Sequence, residues 1–203
     1  MILSRFNTLM KKNLLLLSLL AFCSLFAATP PASVKLCAAC HGAEGISTHS
    51  SWPNLAGQHP AYLLKQLKDY KQNLRHSKLM ARALTPLPEE EMHDLALYYA
   101  KMAKSQKRPA PPSKKGQNLY QRGDLSRRII ACTTCHGPAG KGNAQAGFPV
   151  LTGQNTLYTM EQLQAFKSRR RANDLGGVMQ SICSNLSDEE IQALAGYIAH
   201  LPQ

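Results

Sequence analysis

Two places in the sequence set a pair of cysteines three positions apart and follow them at once with histidine. They are Cys37-Ala38-Ala39-Cys40-His41-Gly42 and Cys132-Thr133-Thr134-Cys135-His136-Gly137. Thiols at that spacing can add to the two vinyl groups of one haem, and the adjacent histidine then reaches the iron from the same side. A redox dithiol would need only the cysteine pair, with no histidine required in both copies. A zinc site would hold its pairs closer, typically about 12–20 residues apart, whereas 91 residues separate these. The pattern implies two covalent haem c groups, held by Cys37, Cys40, Cys132 and Cys135, with His41 and His136 as the proximal iron ligands.

The opposite axial position decides between carrier and catalyst, because an open iron face can bind a substrate. Met80 and Met179 follow their histidines by 39 and 43 residues. Each lies in a stretch read as loop, seven residues ahead of a leucine, Leu87 or Leu186, that opens the last helix of its half. They are the candidate sixth ligands. Met92 and Met102 fall on an apolar helix face and read as core. His76, four residues before Met80, competes in the first half and has no histidine counterpart in the second. A thioether ligand raises the reduction potential and leaves no vacant site, which points to electron transfer.

The elements that must position these groups come as a repeat. Beyond the cysteine motifs, Pro53-Asn54-Leu55-Ala56-Gly57-Gln58 matches Pro149-Val150-Leu151-Thr152-Gly153-Gln154 at an offset of 96. Tyr62, Gln66, Leu67, Tyr70 and Lys71 match Tyr158, Gln162, Leu163, Phe166 and Lys167 at the same offset. Met80, Leu87, Leu95 and Tyr98 meet Met179, Leu186, Leu194 and Tyr197 at an offset of 99. A duplicated domain is the reading, with boundaries at 29–105 and 116–203. Between them, residues 106–115 hold three prolines and four cations and read as an extended connector. Residues 1–28 read as a secretory signal, with Arg5, Lys11 and Lys12 ahead of the apolar run from Leu14 to Ala28. That run is short for a membrane span of roughly 18 residues or more.

Every element reads as helix. Apolar residues recur at helical spacing over 60–75 (Tyr62, Leu63, Leu67, Tyr70) and over 89–104 (Met92, Leu95, Ala96, Tyr99). The second half reads as helix over 116–131, 157–172 and 188–200. Ser187 and Glu190 form a capping box. Pro88, at the matching position, can supply no side-chain acceptor, and Glu89, Glu90 and Glu91 act there through the helix dipole.

In combination these motifs resemble the dihaem cytochromes c of the cytochrome c4 type, over roughly residues 30–203. The resemblance rests on the two cysteine–histidine motifs, the Pro-x-Leu-x-Gly-Gln segments, the methionines, and Leu186-Ser187-Asp188-Glu189-Glu190-Ile191 before a helix containing Tyr197. It implies an all-α fold of two tandem class I cytochrome c-like domains, each wrapped around one covalently bound haem. It also implies a second role for the matched prolines, whose carbonyls (Pro53, Pro149) accept a hydrogen bond from the haem histidine. Gly116 and Tyr120 resemble first-helix residues that pack against Leu194 and Tyr197. The first half has no such pair, so a shortened first helix is expected there. The implied activity is single-electron transfer in the periplasm, from a bc1-type complex toward a terminal oxidase, with peripheral attachment to the inner membrane in some members. Alternatives are a haem subunit of a membrane redox complex and, less well supported, a dihaem peroxidase.

Other residues carry weaker signals. Cys183 matches Leu84 in the repeat and reads as a buried apolar position. Arg75 and Arg171 correspond in the repeat and are candidates to hold haem propionates. Trp52 and Phe148, each just ahead of its proline, are expected to pack on their haems. The formal charge of +12 invites a nucleic-acid reading, which export of the chain removes. Loss of the signal takes three cations with it, and the remaining basic excess suits an anionic membrane surface or an acidic docking patch. No nucleic acid and no small-molecule substrate are expected.

Overall fold

The apolar stripes fold as helices in both halves, and the halves repeat each other. The structure, a computed structural model, describes residues 30–105 and 112–202. The expected signal and positions 106–111 of the expected connector lie outside the described residues. In the first half, α1 (Val34–His41) carries the first cysteine motif. It is followed by α2 (Pro60–Lys71), α3 (Lys78–Leu84) and α4 (Glu89–Ala100). In the second, α5 (Lys114–Arg122) and a short 3-10 turn at Leu125–Arg127 precede the second motif on α6 (Thr133–His136). Then come α7 (Thr156–Lys167), a 3-10 turn at Leu175–Gly177, α8 (Val178–Cys183) and α9 (Asp188–Ile198). Among the described residues there is no strand, only the isolated bridges Asp124–Ile129 and Asn143–Phe148.

Each half has its own core. Leu63, Leu84, Leu87, Met92, Leu95 and Tyr99 are buried together in the first. Tyr120, Ile129, Phe166, Cys183, Ile191 and Leu194 are buried together in the second. Met92 is fully buried, as its place on the apolar face of α4 predicts. The two halves lie in one compact unit, Pro31–Gln203.

Helix ends depart from the sequence expectations for local reasons. The segment expected as helix over 60–75 stops at Lys71, and Asn73 takes the left-handed φ of 59°. The matching helix stops at Lys167, with Arg169 at φ 57°. The helix expected over 116–131 starts at Lys114, capped by the Ser113 side chain, and ends at Gly123. A Cβ on Gly123 would lie 2.2 Å from the Ile129 carbonyl oxygen at φ 66°, a turn that only glycine completes without strain. The capping box of Ser187 and Glu190 is formed at α9, and Pro88 gives α4 no side-chain cap. Among the described residues, the first half has no counterpart of α5 ahead of α1.

The start of the second motif is fastened by ionic contacts. Arg127 places Nε 2.8 Å from Asp124 and Nη2 2.7 Å from Glu190 on α9. Hydrogen bonds from Ser126 and then Arg127 hold the Asp124 carboxyl down to about 2. Arg127 also lowers Glu190. Both carboxyls ionise more readily in the fold than in the unfolded chain, whose carboxyls titrate near about 4. Their contribution is therefore complete above about pH 4 and is lost as pH falls toward about 2. The thermal midpoint of the wild type is expected to drop across that window, and Arg127→Met to flatten the drop. Parallel profiles for the two proteins would refute the assignment.

Candidate haem-binding site

The first cysteine motif sits on α1 and the second starts at Cys132, the residue capping α6; the cysteines and histidines of both line the interior cavity. His41 and His136 are each 7% exposed. Their Nδ1–H groups donate to the carbonyls of Pro53 at 2.9 Å and Pro149 at 3.0 Å. That bond fixes the tautomer and leaves Nε2 as the nitrogen with a free lone pair. Burial, against the pull of the proline carbonyl, holds both imidazoles below their usual pKa and therefore neutral. No described cysteine is in a disulfide. Burial pushes the Cys37 thiol up and the Cys132 thiol up to about 11.

The two methionines are not in loops, as expected from sequence, but near the starts of the short helices α3 and α8. At α3 the reason is a side-chain cap, and at α8 a carboxylate ahead of the helix accepts from its first turn. Ser77 Oγ accepts from the Met80 N–H at 3.3 Å. Asp174 accepts from the N–H groups of Met179 at 2.8 Å and Gln180 at 3.2 Å. Each helix start is tied down within a few residues of its methionine, so backbone position there is set by side-chain acceptors. His76 is exposed, with Nδ1 2.9 Å from Asn73 Oδ1.

All four cysteines, both histidines and both methionines line one cavity of about 1060 Å³ that runs through the two halves. Its walls are largely the apolar side chains of α2, α4, α7 and α9, among them Leu63, Leu67, Leu95, Leu163 and Leu194. The Tyr99 hydroxyl is buried beside the Cys37 thiol. Trp52 stacks on His49 at 4.6 Å and lines the cavity, and the Phe148 ring stands 6.2 Å from His136. Cys183 is fully buried, and burial pushes its thiol up to about 12. An apolar space of this size, entered by thiols, neutral imidazoles and thioethers, fits two large flat iron-bearing groups.

Where the halves meet, the same cavity is edged by two buried guanidiniums. Arg75 and Arg171 are 5% and 7% exposed. Arg75 donates to Gln66 in its own half, and across the junction to Tyr158 at 2.9 Å and Gln162 at 2.7 Å. Arg171 donates to Gln162 in its own half, and across the junction to Tyr62 at 2.9 Å and Gln66 at 3.2 Å. Their carbons lie 4.7 Å and 4.5 Å over the rings of Tyr70 and Phe166. Burial opposes the charge on Arg75, but Tyr158, Tyr70 and Tyr62 outweigh it.

From spacing alone Tyr62 falls on an apolar stripe, and Gln58, Gln66, Gln154 and Gln162 carry no chemical signal. All five contact the opposite half. The available signal was the repeat itself, which keeps glutamine at matched places in both halves, ahead of one helix pair (Gln58, Gln154) and within it (Gln66, Gln162).

The Cytochrome c family model matches residues 30–103 and 113–202. Cytochrome c4 of Thiocapsa roseopersicina is 42% identical over 170 residues, covering 83% of this chain and 88% of the relative. The thiosulfate dehydrogenase electron acceptor of Thiomonas intermedia is 36% identical over 183 residues, covering 87% of this chain and 83% of the relative. Among solved structures, reduced recombinant cytochrome c4 from Pseudomonas stutzeri superposes with a TM-score of 0.80 at 36% identity, over 87% of this chain and all of that one. With two helical halves of one plan around a shared cavity, this chain belongs to the cytochrome c4 family, as a dihaem electron-transfer protein of two tandem cytochrome c domains with two covalently attached haem c groups.

Proposed function

We propose that the chain is a periplasmic carrier that takes single electrons from a bc1-type complex and passes them toward a terminal oxidase. In this reading Cys37 and Cys40 hold one haem by thioether bonds, and Cys132 and Cys135 hold the other. His41 and Met80 are the axial ligands in the first domain, 29–105, and His136 and Met179 in the second, 116–203. Bound there, each haem supplies reversible one-electron cycling between ferric and ferrous iron. The protein's part is positional. Pro53 and Pro149 orient the histidines, the apolar walls exclude water, and the methionines close the position that a substrate would need. Arg75 and Arg171, buried without a carboxylate partner among the described ion pairs, suit the anionic propionate edges of the haems.

The observation that carries the reading is the convergence of both cysteine–histidine–methionine sets on one apolar cavity. Among the described residues no helix is long and apolar enough to cross a membrane. Contact with the inner membrane is on this reading peripheral, through the basic surface. A second reading, as acceptor for a substrate-oxidising dehydrogenase, is favoured by the name of the Thiomonas intermedia relative.

A spectroscopic redox titration of the purified protein tests the proposal. Two one-electron steps are expected, with a methionine-to-iron charge-transfer band in the oxidised state. Met80→His and Met179→His should each remove about half of that band. Each should also lower one potential by on the order of 0.2 V, part of the roughly 0.8 V that axial ligands span. Absence of the band, or peroxidase turnover by the native protein, would overturn it. Reduction rates with a quinol-oxidising complex and with a dehydrogenase as donor separate the two readings.

A further inference from the structure

The two Gly-Gln segments make a crossed pair of clamps at the junction. The Gln154 side chain meets the first half at Asn54, its Oε1 accepting from the Asn54 N–H at 2.8 Å and its Nε2 donating to the Asn54 carbonyl at 2.9 Å. Gln58 does the same to the second half. Its Oε1 accepts from the Val150 N–H at 2.9 Å and its Nε2 donates to the Val150 carbonyl at 2.9 Å. Each Oε1 also accepts from the next N–H in its own chain, His59 or Asn155, which locks the amide's orientation. Gln58, Asn54 and Val150 are all buried.

Asn54 and Val150 immediately follow the prolines that hold the histidines. The Pro53 carbonyl that accepts from His41 and the Asn54 N–H that donates to Gln154 are therefore the two ends of one peptide group. The same holds for the Pro149 carbonyl and the Val150 N–H. Hydrogen bonds in series polarise one another. An acceptor on the N–H end draws electron density toward the carbonyl oxygen and makes it a better acceptor for the imidazole N–H. A stronger bond at Nδ1 makes the other nitrogen a more basic iron ligand.

We infer that Gln154 is a positioning residue for the haem of the first half and Gln58 for the haem of the second, each tuning the axial histidine across the junction. The inference rests on His41 and His136 being the axial ligands. Removing a clamp weakens the histidine–proline bond of the opposite half, makes that histidine a poorer donor, and favours ferrous iron there. The effect is crossed. A change in one half moves the potential of the other.

The test is a redox titration of holo Gln154→Met and Gln58→Met, with each potential assigned to its half through the Met80→His and Met179→His variants. Gln154→Met should raise the first-half potential alone, and Gln58→Met the second-half potential alone. Each rise should be a three- to tenfold change in the reduction equilibrium, about 28–59 mV at 59 mV per decade. No shift, or a shift in the variant's own half, with the methionine charge-transfer band intact, overturns the inference while leaving the ligand assignment standing. Loss of that band in the wild type instead overturns the ligand assignment beneath it. Where a Met variant fails to fold, Gln154→Glu and Gln58→Glu keep the acceptor, lose the donor and add a negative charge that itself favours ferric iron. They should leave the opposite potential no higher than in the wild type, and a rise there also overturns the inference.

Discussion

Replacing Arg75 with methionine should lower the unfolding free energy of the holo protein by about 1–3 kcal/mol, because the Tyr158 hydroxyl loses its guanidinium donor and Gln66 and Gln162 each keep only the donors from the second half. The partners of Arg75 are Gln66 in the same half and Tyr158 and Gln162 in the other. Methionine restores much of the volume over the Tyr70 ring but none of the donors. Arg171→Met should cost a similar amount through Gln162, Tyr62 and Gln66. The two guanidiniums share both glutamine oxygens, so each single variant leaves those oxygens one guanidinium and the double variant should lose more than the sum of the single losses. Urea titrations of the three variants check this, with the far-ultraviolet signal followed beside haem absorption because a cofactor-bearing protein need not unfold in two states. On the proposed placement of the haems, losing either cation also disfavours the electron-rich ferrous state, so one potential should fall. A single-variant loss under about 0.5 kcal/mol, of the size expected at an unimportant surface site, would show that the network is not holding the junction.

The site was legible in the sequence where its chemistry is local. Cys37, Cys40 and His41 fall within five positions, and the spacing alone restricts what they can bind. Met80 and Met179 are candidates by repeat position alone, and the loop expected around each is a short helix in the structure. Ser77 and Asp174 accept from their N–H groups and start a helix at each, a contact that needs the folded turn to be seen. Helix ends were overrun for a related reason. Asn73 and Arg169 occupy matched positions at φ 59° and 57°, and an arginine gives no hint that it will adopt the left-handed conformation usually left to glycine.

The junction between the halves was the least legible part. Gln58, Gln154, Arg75 and Arg171 make contacts between residues 83 to 109 apart, and no spacing rule reaches so far. Duplication was nonetheless a usable sign. Two copies of one domain packed face to face bring like residues together, so a polar residue retained in both copies is a candidate for the seam. Tyr62 shows the limit of periodicity: eight residues ahead of Tyr70 on the apolar stripe, its hydroxyl accepts from Arg171.

The contrast between two helical glycines should separate packing from propensity. A Cβ on Gly116 of α5 would lie 2.1 Å from the Ala193 carbonyl oxygen, 2.6 Å from its carbon and 3.1 Å from Tyr197 Cβ. The first two are backbone atoms of α9, which cannot swing aside, so the helices would have to part. Tyr120, fully buried one turn along, donates from its hydroxyl to the Gly137 carbonyl at 2.8 Å, one residue after His136 of the second cysteine motif. Parting α5 from α9 would therefore loosen the second site as well. Gly116→Val is expected to cost about 3 kcal/mol or more, the upper part of the range for overpacked cores. Gly196, on α9, has nothing within 4 Å of its would-be Cβ. Gly196→Ala should instead add about 0.5–1 kcal/mol, the ordinary gain of alanine over glycine inside a helix. Thermal melts of both variants beside the wild type decide it. Equal and small effects of the two substitutions would mean that α5 does not approach α9 as closely as its glycine allows.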